Sequence, residues 1–175
     1  VRLQDVGLVS EAQLTSIFKA VNEKARFRWF AGRSILDFKI DGADGFQLQP
    51  PYDFLNVIVS AMVHIARCSL SQGEDLALVQ LIVNHFKDGG YEVKPHTHRC
   101  RQVCASLGAP RDLEIERAGT RGATTMTMRN GDCLPLAGEL HAVPPARHVR
   151  EPRVSVCLFY GSREEYENEA ISVNA

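Results

Sequence analysis

His96-Thr97-His98 is the stretch of this sequence best equipped for chemistry. In an extended strand alternate side chains share a face. A strand through these residues therefore aims two imidazoles at one point and turns Thr97 away. Two imidazoles at that spacing begin a metal site. A third ligand must come from elsewhere, and the histidines downstream are His141 and His148. Arg153 follows them, in the run Pro152-Arg153-Val154-Ser155. An arginine on a strand facing a metal pocket is a natural clamp for a carboxylate, because its planar fork bonds both oxygens at once.

The elements that must position these groups can be read along the chain. Ser10 and Gln13 fit a capping box, and Leu14, Ile17, Phe18 and Val21 follow at helical spacing, so residues 11–24 form an amphipathic helix. Arg26 to Phe30 and Ile35 to Ile40 read as strands, the second ended by the turn residues Asp41-Gly42 and Asp44-Gly45. Residues 53–66 read as a largely buried helix, with His64 as a core histidine. From residue 76 short strands take over: 77–86, 102–107, 113–117, 124–128, 132–136 and 154–160. Asn130-Gly131 is a strong hairpin signal between two of them. The residues after Ser162 are acidic and read as a short helix or a frayed end. Two N-terminal helices followed by many short antiparallel strands predict an α+β fold, with helices bracing a sandwich or barrel.

Composition narrows the function classes. Lys plus Arg is 20 and Asp plus Glu is 21, so no global field argues for nucleic acid, although a local basic patch is compatible with these totals. Hydrophobic content is 45% and charged content 23%, ordinary for a globular domain. No apolar run is long enough to span a bilayer, and no charged-then-apolar leader is visible. The 5 cysteines contain no CxxC pair, so the expectation is free thiols in a reducing, intracellular compartment. Cys100 continues the 96, 98, 100 alternation but reads as a small buried residue at a strand end. The chain starts at Val1 rather than Met, so a processed form or a fragment is expected.

Five ordered blocks between residues 76 and 160 resemble the AlkB family of iron- and 2-oxoglutarate-dependent dioxygenases. They are Asn84-His85-Phe86-Lys87-Asp88-Gly89 leading to His96; Ser106-Leu107-Gly108-Ala109-Pro110-Arg111-Asp112-Leu113; Met128-Arg129-Asn130-Gly131-Asp132-Cys133-Leu134; His141-Ala142-Val143-Pro144; and Pro152-Arg153-Val154-Ser155-Val156-Cys157-Leu158-Phe159. The resemblance implies a double-stranded β-helix (jelly-roll) core over residues 76–165. Residues 1–75 would add helices and substrate-covering strands to the same domain. It implies Fe(II) held by His96, His98 and His141, and 2-oxoglutarate held by Arg153, Asn84 and Ser155. It further implies oxidative demethylation or hydroxylation of an alkylated nucleic-acid base, with Arg99, Phe159, Trp29 and Arg33 as substrate contacts. The expected partner is DNA or RNA, or a protein substrate, with no membrane, the chain acting as a monomer or as a module of a larger protein.

The sequence departs from the family at the third ligand. His98 stands where the family has an aspartate, which leaves a site one charge more positive than the usual two-histidine, one-carboxylate arrangement. Arg99 and Cys100 replace acidic residues that help select the base, and Phe159 replaces an arginine. Phe159 either makes the pocket apolar or packs in the core. Alternatives therefore stand beside the first reading: the same chemistry on a protein or small molecule, a three-histidine iron protein that does not use 2-oxoglutarate, or a non-catalytic binding module. His148 reads as a solvated loop residue and His85 as pointing away from the pocket.

Overall fold

The computed structural model describes residues 1–5, 7–42, 45–119, 122–168 and 171. Among these residues three α-helices, α1 (Glu11–Lys24), α2 (Asn56–Cys68) and α3 (Arg163–Glu167), flank ten strands. These are β1 (Arg28–Phe30), β2 (Arg33–Lys39), β3 (Leu76–Phe86), β4 (Val93–His96) and β5 (Arg101–Gly108). Then come β6 (Arg111–Glu116), β7 (Thr124–Met128), β8 (Cys133–Leu136), β9 (Leu140–Val143) and β10 (Arg153–Ser162). They form a six-stranded sheet in the order β1-β2-β3-β10-β5-β8 and a four-stranded sheet in the order β4-β9-β6-β7. Every observed pairing is antiparallel.

From β3 to β10 the chain passes back and forth between the sheets, and only β6 and β7 are sequence neighbours paired within one sheet. That winding is the expected double-stranded β-helix. It also corrects the hairpin at Asn130-Gly131. β7 pairs with β6, whereas β8 pairs with β5 in the other sheet. Gly131, at φ +81°, hands the chain from one sheet to the other. Its N–H donates to Ser106 O at 2.8 Å, and Asn130 Oδ1 accepts from the Gly108 N–H at 3.0 Å. A turn signal fixes a local reversal; it does not say which sheet receives the next strand.

The residue alternation of β10 explains both layers of the core. Val154, Val156, Leu158 and Tyr160 face the two long helices, where they meet Leu14, Ile17 and Val21 of α1 and Ile58, Met62 and Ile65 of α2. Arg153, Ser155, Cys157 and Phe159 face the other way, between the sheets. All ten positions of β10 are buried. Reciprocal bonds start α1 as expected: Ser10 N–H to Gln13 Oε1 at 2.8 Å and Gln13 N–H to Ser10 Oγ at 3.2 Å. The 53–66 segment opens with a 3-10 turn at Asp53–Leu55 before α2 begins. His64 is exposed there, on the solvent side of a helix whose apolar stripe lies opposite, so it is not a core histidine. Asp44, one of the residues expected to turn the chain after β2, lies outside the described residues. No helix among the described residues is long and apolar enough to cross a membrane.

The loop leading into β4 is clamped at two points. Gly89 exchanges backbone bonds with the segment after β9: its N–H donates to Val149 O at 2.9 Å, and its carbonyl accepts from Ala146 N–H at 2.7 Å. Buried Arg111 spans the same loops through the carbonyls of Asp88, Tyr91 and Pro144, at 3.1, 2.8 and 2.8 Å. A Cβ on Gly89 would stand 1.7 Å from Ala146 O, against backbone that cannot yield cheaply. Gly89→Ala should therefore cost on the order of 3 kcal/mol of stability. A urea midpoint unchanged from wild type would contradict this packing.

Candidate metal centre

His96 and His141 face each other across the β4–β9 ladder as register partners. Their ring centroids are 4.4 Å apart, and those of His96 and His98 are 4.8 Å apart. One ligand atom from each of the three histidines lies within 4.8 Å of the others, the spread that a single cation bridges. His98 reaches this cluster by a route the alternation rule did not foresee. β4 ends at His96, so His98 lies beyond the ladder, with Thr97 exposed between them. Phe159 packs edge-on against the His98 ring at 4.8 Å. That contact packs Phe159, 2% exposed, directly against the His98 ring.

The hydrogen bonds set the tautomers. His96 Nδ1 lies 2.9 Å from Lys94 O, and His141 Nδ1 lies 2.8 Å from Glu139 O. A carbonyl only accepts, so both Nδ1 atoms carry the proton and both Nε2 lone pairs are left for a cation. Such backbone anchoring of the far nitrogen is what holds metal-binding imidazoles in orientation. Gln102 Nε2 sits 3.0 Å from His141 Nε2, so an amide proton stands on the lone pair a metal would take. By donor chemistry and spacing the three residues, and by tautomer His96 and His141, fit Fe(II) or a similar borderline cation.

Burial pushes the His141 imidazole down from its ordinary 6.5 to about 4; the Glu139 carbonyl opposes this, and His96 and His98 add to it. Burial also lowers His96 and His85. These groups bind protons more readily in the unfolded chain. The His141 contribution to stability is therefore complete above pH 6.5 and is lost as the pH falls towards about 4. For His141 the loss is on the order of 3 kcal/mol, at roughly 1.4 kcal/mol per pH unit. Urea midpoints of metal-free protein should fall steeply across that window; a flat profile would contradict the buried neutral ring.

Behind the histidines the cavity runs between the sheets to Arg153, which is 3% exposed. Arg153 Nε donates to Ser106 Oγ at 2.9 Å, and the guanidinium lies over the Phe86 ring at 5.1 Å. Its Nη1 is buried and has no hydrogen-bond partner among the described residues. Burial lowers Arg153 to about 10, which still leaves it charged at neutral pH. A second guanidinium enters from β2: Arg33 Nε donates to Asn84 Oδ1 at 2.6 Å. Ser155 lines the same wall. The cavity lining contains Arg33, Arg153 and three histidines, and no Asp or Glu among the described residues. An orphaned, buried N–H of a guanidinium in an acid-free cavity fits the carboxylate of a small dianion such as 2-oxoglutarate.

No family model matches this sequence, and no curated protein matches it. Solved structures do. The chain superposes on a prolyl hydroxylase from Trichoplax adhaerens, solved in complex with a hypoxia inducible factor oxygen degradation domain peptide fragment, with a TM-score of 0.69 at 15% identity, over 92% of this chain and 83% of that one. It superposes on an oxidoreductase of the 2OG-Fe(II) oxygenase family from Burkholderia pseudomallei with a TM-score of 0.63 at 15% identity, over 84% and 78%. The fold is that of the 2OG-Fe(II) oxygenases. The likeness is to this wider fold and does not single out the AlkB branch.

The remaining sequence-predicted residues divide by place. Asn84, Arg33 and Phe159 line the cavity with Arg153 and Ser155. Trp29 stands outside it, 64% exposed and edge-on to Tyr91 at 5.4 Å. Arg99 is exposed and lies outside the cavity lining, beside buried Cys100. His148 is exposed in a turn, and His85 stacks on Phe27 at 4.8 Å, away from the cavity. Sequence reasoning missed Gln102, Cys104 and Cys157. Strand alternation places 102 and 104 on one face of β5 and 153, 155 and 157 on one face of β10. Only the register between the two strands brings them together.

Proposed function

We propose that this chain is an Fe(II)- and 2-oxoglutarate-dependent oxygenase. The observation that carries the reading is Arg153 Nη1, which has no partner among the described residues and is buried in a cavity that they line without Asp or Glu and that also holds the three-histidine cluster. His96, His98 and His141 would hold the iron, and Arg153 would seat the distal carboxylate. Iron(II) with 2-oxoglutarate supplies the oxidative decarboxylation that couples dioxygen to hydroxylation of a substrate carbon. The protein's own part is orientation. Nδ1 bonds fix two imidazoles, Phe159 braces the third, and the inter-sheet lining of Phe86, Leu113, Met128 and Val143 keeps bulk water from the cosubstrate.

A surface groove whose lining includes Phe30, Gly32, Glu92, Lys94 and Pro95 shares Arg33, Val93 and His96 with the cavity. It lies between two sheet edges, since β1 pairs only with β2 and β4 only with β9. Edge strands accept an extended polypeptide by backbone pairing, although Pro95 has no N–H to give to such a pairing. This favours a protein substrate, the class of ligand in the Trichoplax complex. A second reading keeps the AlkB-like substrate, an alkylated base. It rests on exposed Trp29 and Phe30 and on the guanidinia of Arg28 and Arg33, 5.3 and 5.7 Å from the Phe30 ring. Stacking and phosphate contacts would use such a cluster. Oligonucleotide binding that weakens steeply with salt would select the second reading.

The activity test is succinate production when oxygen is admitted to anaerobic protein holding Fe(II) and 2-oxoglutarate. Wild type should exceed its metal-free blank. His98→Asp, which restores the carboxylate ligand, should retain or raise the rate. Absence of succinate from both proteins would overturn the oxygenase reading. Collapse in His98→Asp alone would show that the third imidazole is required for turnover.

A further inference from the structure

Cys104 and Cys157 are directly opposed in the β5–β10 ladder, with their Sγ atoms 3.0 Å apart. Both line the cavity, and Cys104 is partly exposed within it. The sulfurs sit in a continuous polar chain. Asn84 Nδ2 donates to Cys157 Sγ at 3.6 Å and Ser155 Oγ lies 3.4 Å from the same sulfur; on the other side Cys104 Sγ lies 3.5 Å from Gln102 Oε1. Gln102 in turn touches His141. The remaining cysteines differ. Cys100 and Cys133 are buried, and burial raises both thiols to about 12; Cys68 is exposed on α2. The Cys157 thiol is instead lowered to about 7, by the bond from Cys104 first and then by Ser155, Arg153 and Arg33, against its burial.

We propose that Cys104 and Cys157 are a reversible oxidation site of the cavity, closed to an intramolecular disulfide by a hydroperoxide. The Cys157 thiolate attacks the distal peroxide oxygen, the O–O bond breaks, and the alcohol or water leaves with a proton, giving a sulfenic acid at Cys157. Cys104 then attacks that sulfur; the S–S bond forms and hydroxide leaves as water with the Cys104 proton. Two thiols are oxidised and one peroxide is reduced. Directly opposed strand positions bring two side chains within the reach of a disulfide, and a bridge open to the cavity is accessible to reduction by thiols. The bridge would remove the negative sulfur that faces Arg153 and Arg33, at the end of the cavity assigned above to the dicarboxylate. Only this link to the cosubstrate rests on the oxygenase reading; the bridge itself does not.

The test treats purified, chelator-washed protein with hydrogen peroxide and maps the thiols by mass spectrometry. The expected product is a cross-linked peptide pair containing Cys104 and Cys157, reversed by dithiothreitol. In Cys104→Ser, dimedone should trap a sulfenic acid at Cys157. N-oxalylglycine, an unreactive dicarboxylate, should slow the oxidation by about tenfold at ten times its Kd. Cys104 and Cys157 still alkylatable after Cys68 is fully oxidised would overturn the proposal. Calorimetry measures binding of the analogue separately. A bound analogue that gives no protection overturns the coupling, whereas no binding at all counts against the dicarboxylate seat and leaves the bridge to be judged by the mapping.

Discussion

His141→Ala should abolish stoichiometric Fe(II) binding, raising the dissociation constant by more than about 100-fold. Loss of even an outer partner of a metal ligand costs about 10- to 100-fold, and His141 is proposed as a ligand itself. It is also the most constrained of the three, buried at 8% exposure, held through Nδ1 by Glu139 O and paired with His96 across the β4–β9 ladder. A second readout separates lost ligation from lost fold. With the depressed imidazole removed, the metal-free variant should show a flatter fall in urea midpoint between pH 6.5 and about 4 than wild type. Near-wild-type iron affinity in a folded variant would mean that His96 and His98 bind metal without it.

Arg153→Ala should weaken 2-oxoglutarate binding by about 30- to 150-fold, the equivalent of roughly 2–3 kcal/mol for a charge-assisted bidentate contact. The effect should exceed that of losing a surface arginine because the guanidinium is buried, with Nη1 awaiting an acceptor. Arg153→Lys keeps the charge but not the fork and should fall between the two. The thermal midpoint must be followed as well, since Ser106 Oγ loses its donor in the alanine variant. An unchanged 2-oxoglutarate dissociation constant would remove Arg153 from the site.

Much of this architecture is legible in the sequence where the signal is local. The Ser10 and Gln13 cap and the bounds of α1 follow from spacing alone. The two faces of β10 follow from strict alternation, and its burial on both sides agrees with an unbroken run of mostly apolar residues. The histidine cluster and Arg153 come from the order of the AlkB-like blocks, whereas His98 reached its place without the strand assumed for it. Local signals fail where the outcome depends on pairing partners. Asn130-Gly131 marks a reversal, but the choice of sheet is made by contacts far away in the chain. His64 sits in a mostly apolar helix, and only packing shows which stripe faces water. The Cys104 and Cys157 pair is invisible until the β5–β10 register aligns the two positions.

Anaerobic titration of the protein with 2-oxoglutarate, in the presence and absence of Fe(II), asks whether one cavity takes both a cation and a dicarboxylate. A visible charge-transfer absorption should appear only when metal and 2-oxoglutarate are both present, and should be lost in His141→Ala and shifted to much higher 2-oxoglutarate concentration in Arg153→Ala. Iron that binds without any spectral response to 2-oxoglutarate, or 2-oxoglutarate that binds equally well to both variants, would contradict a shared cavity.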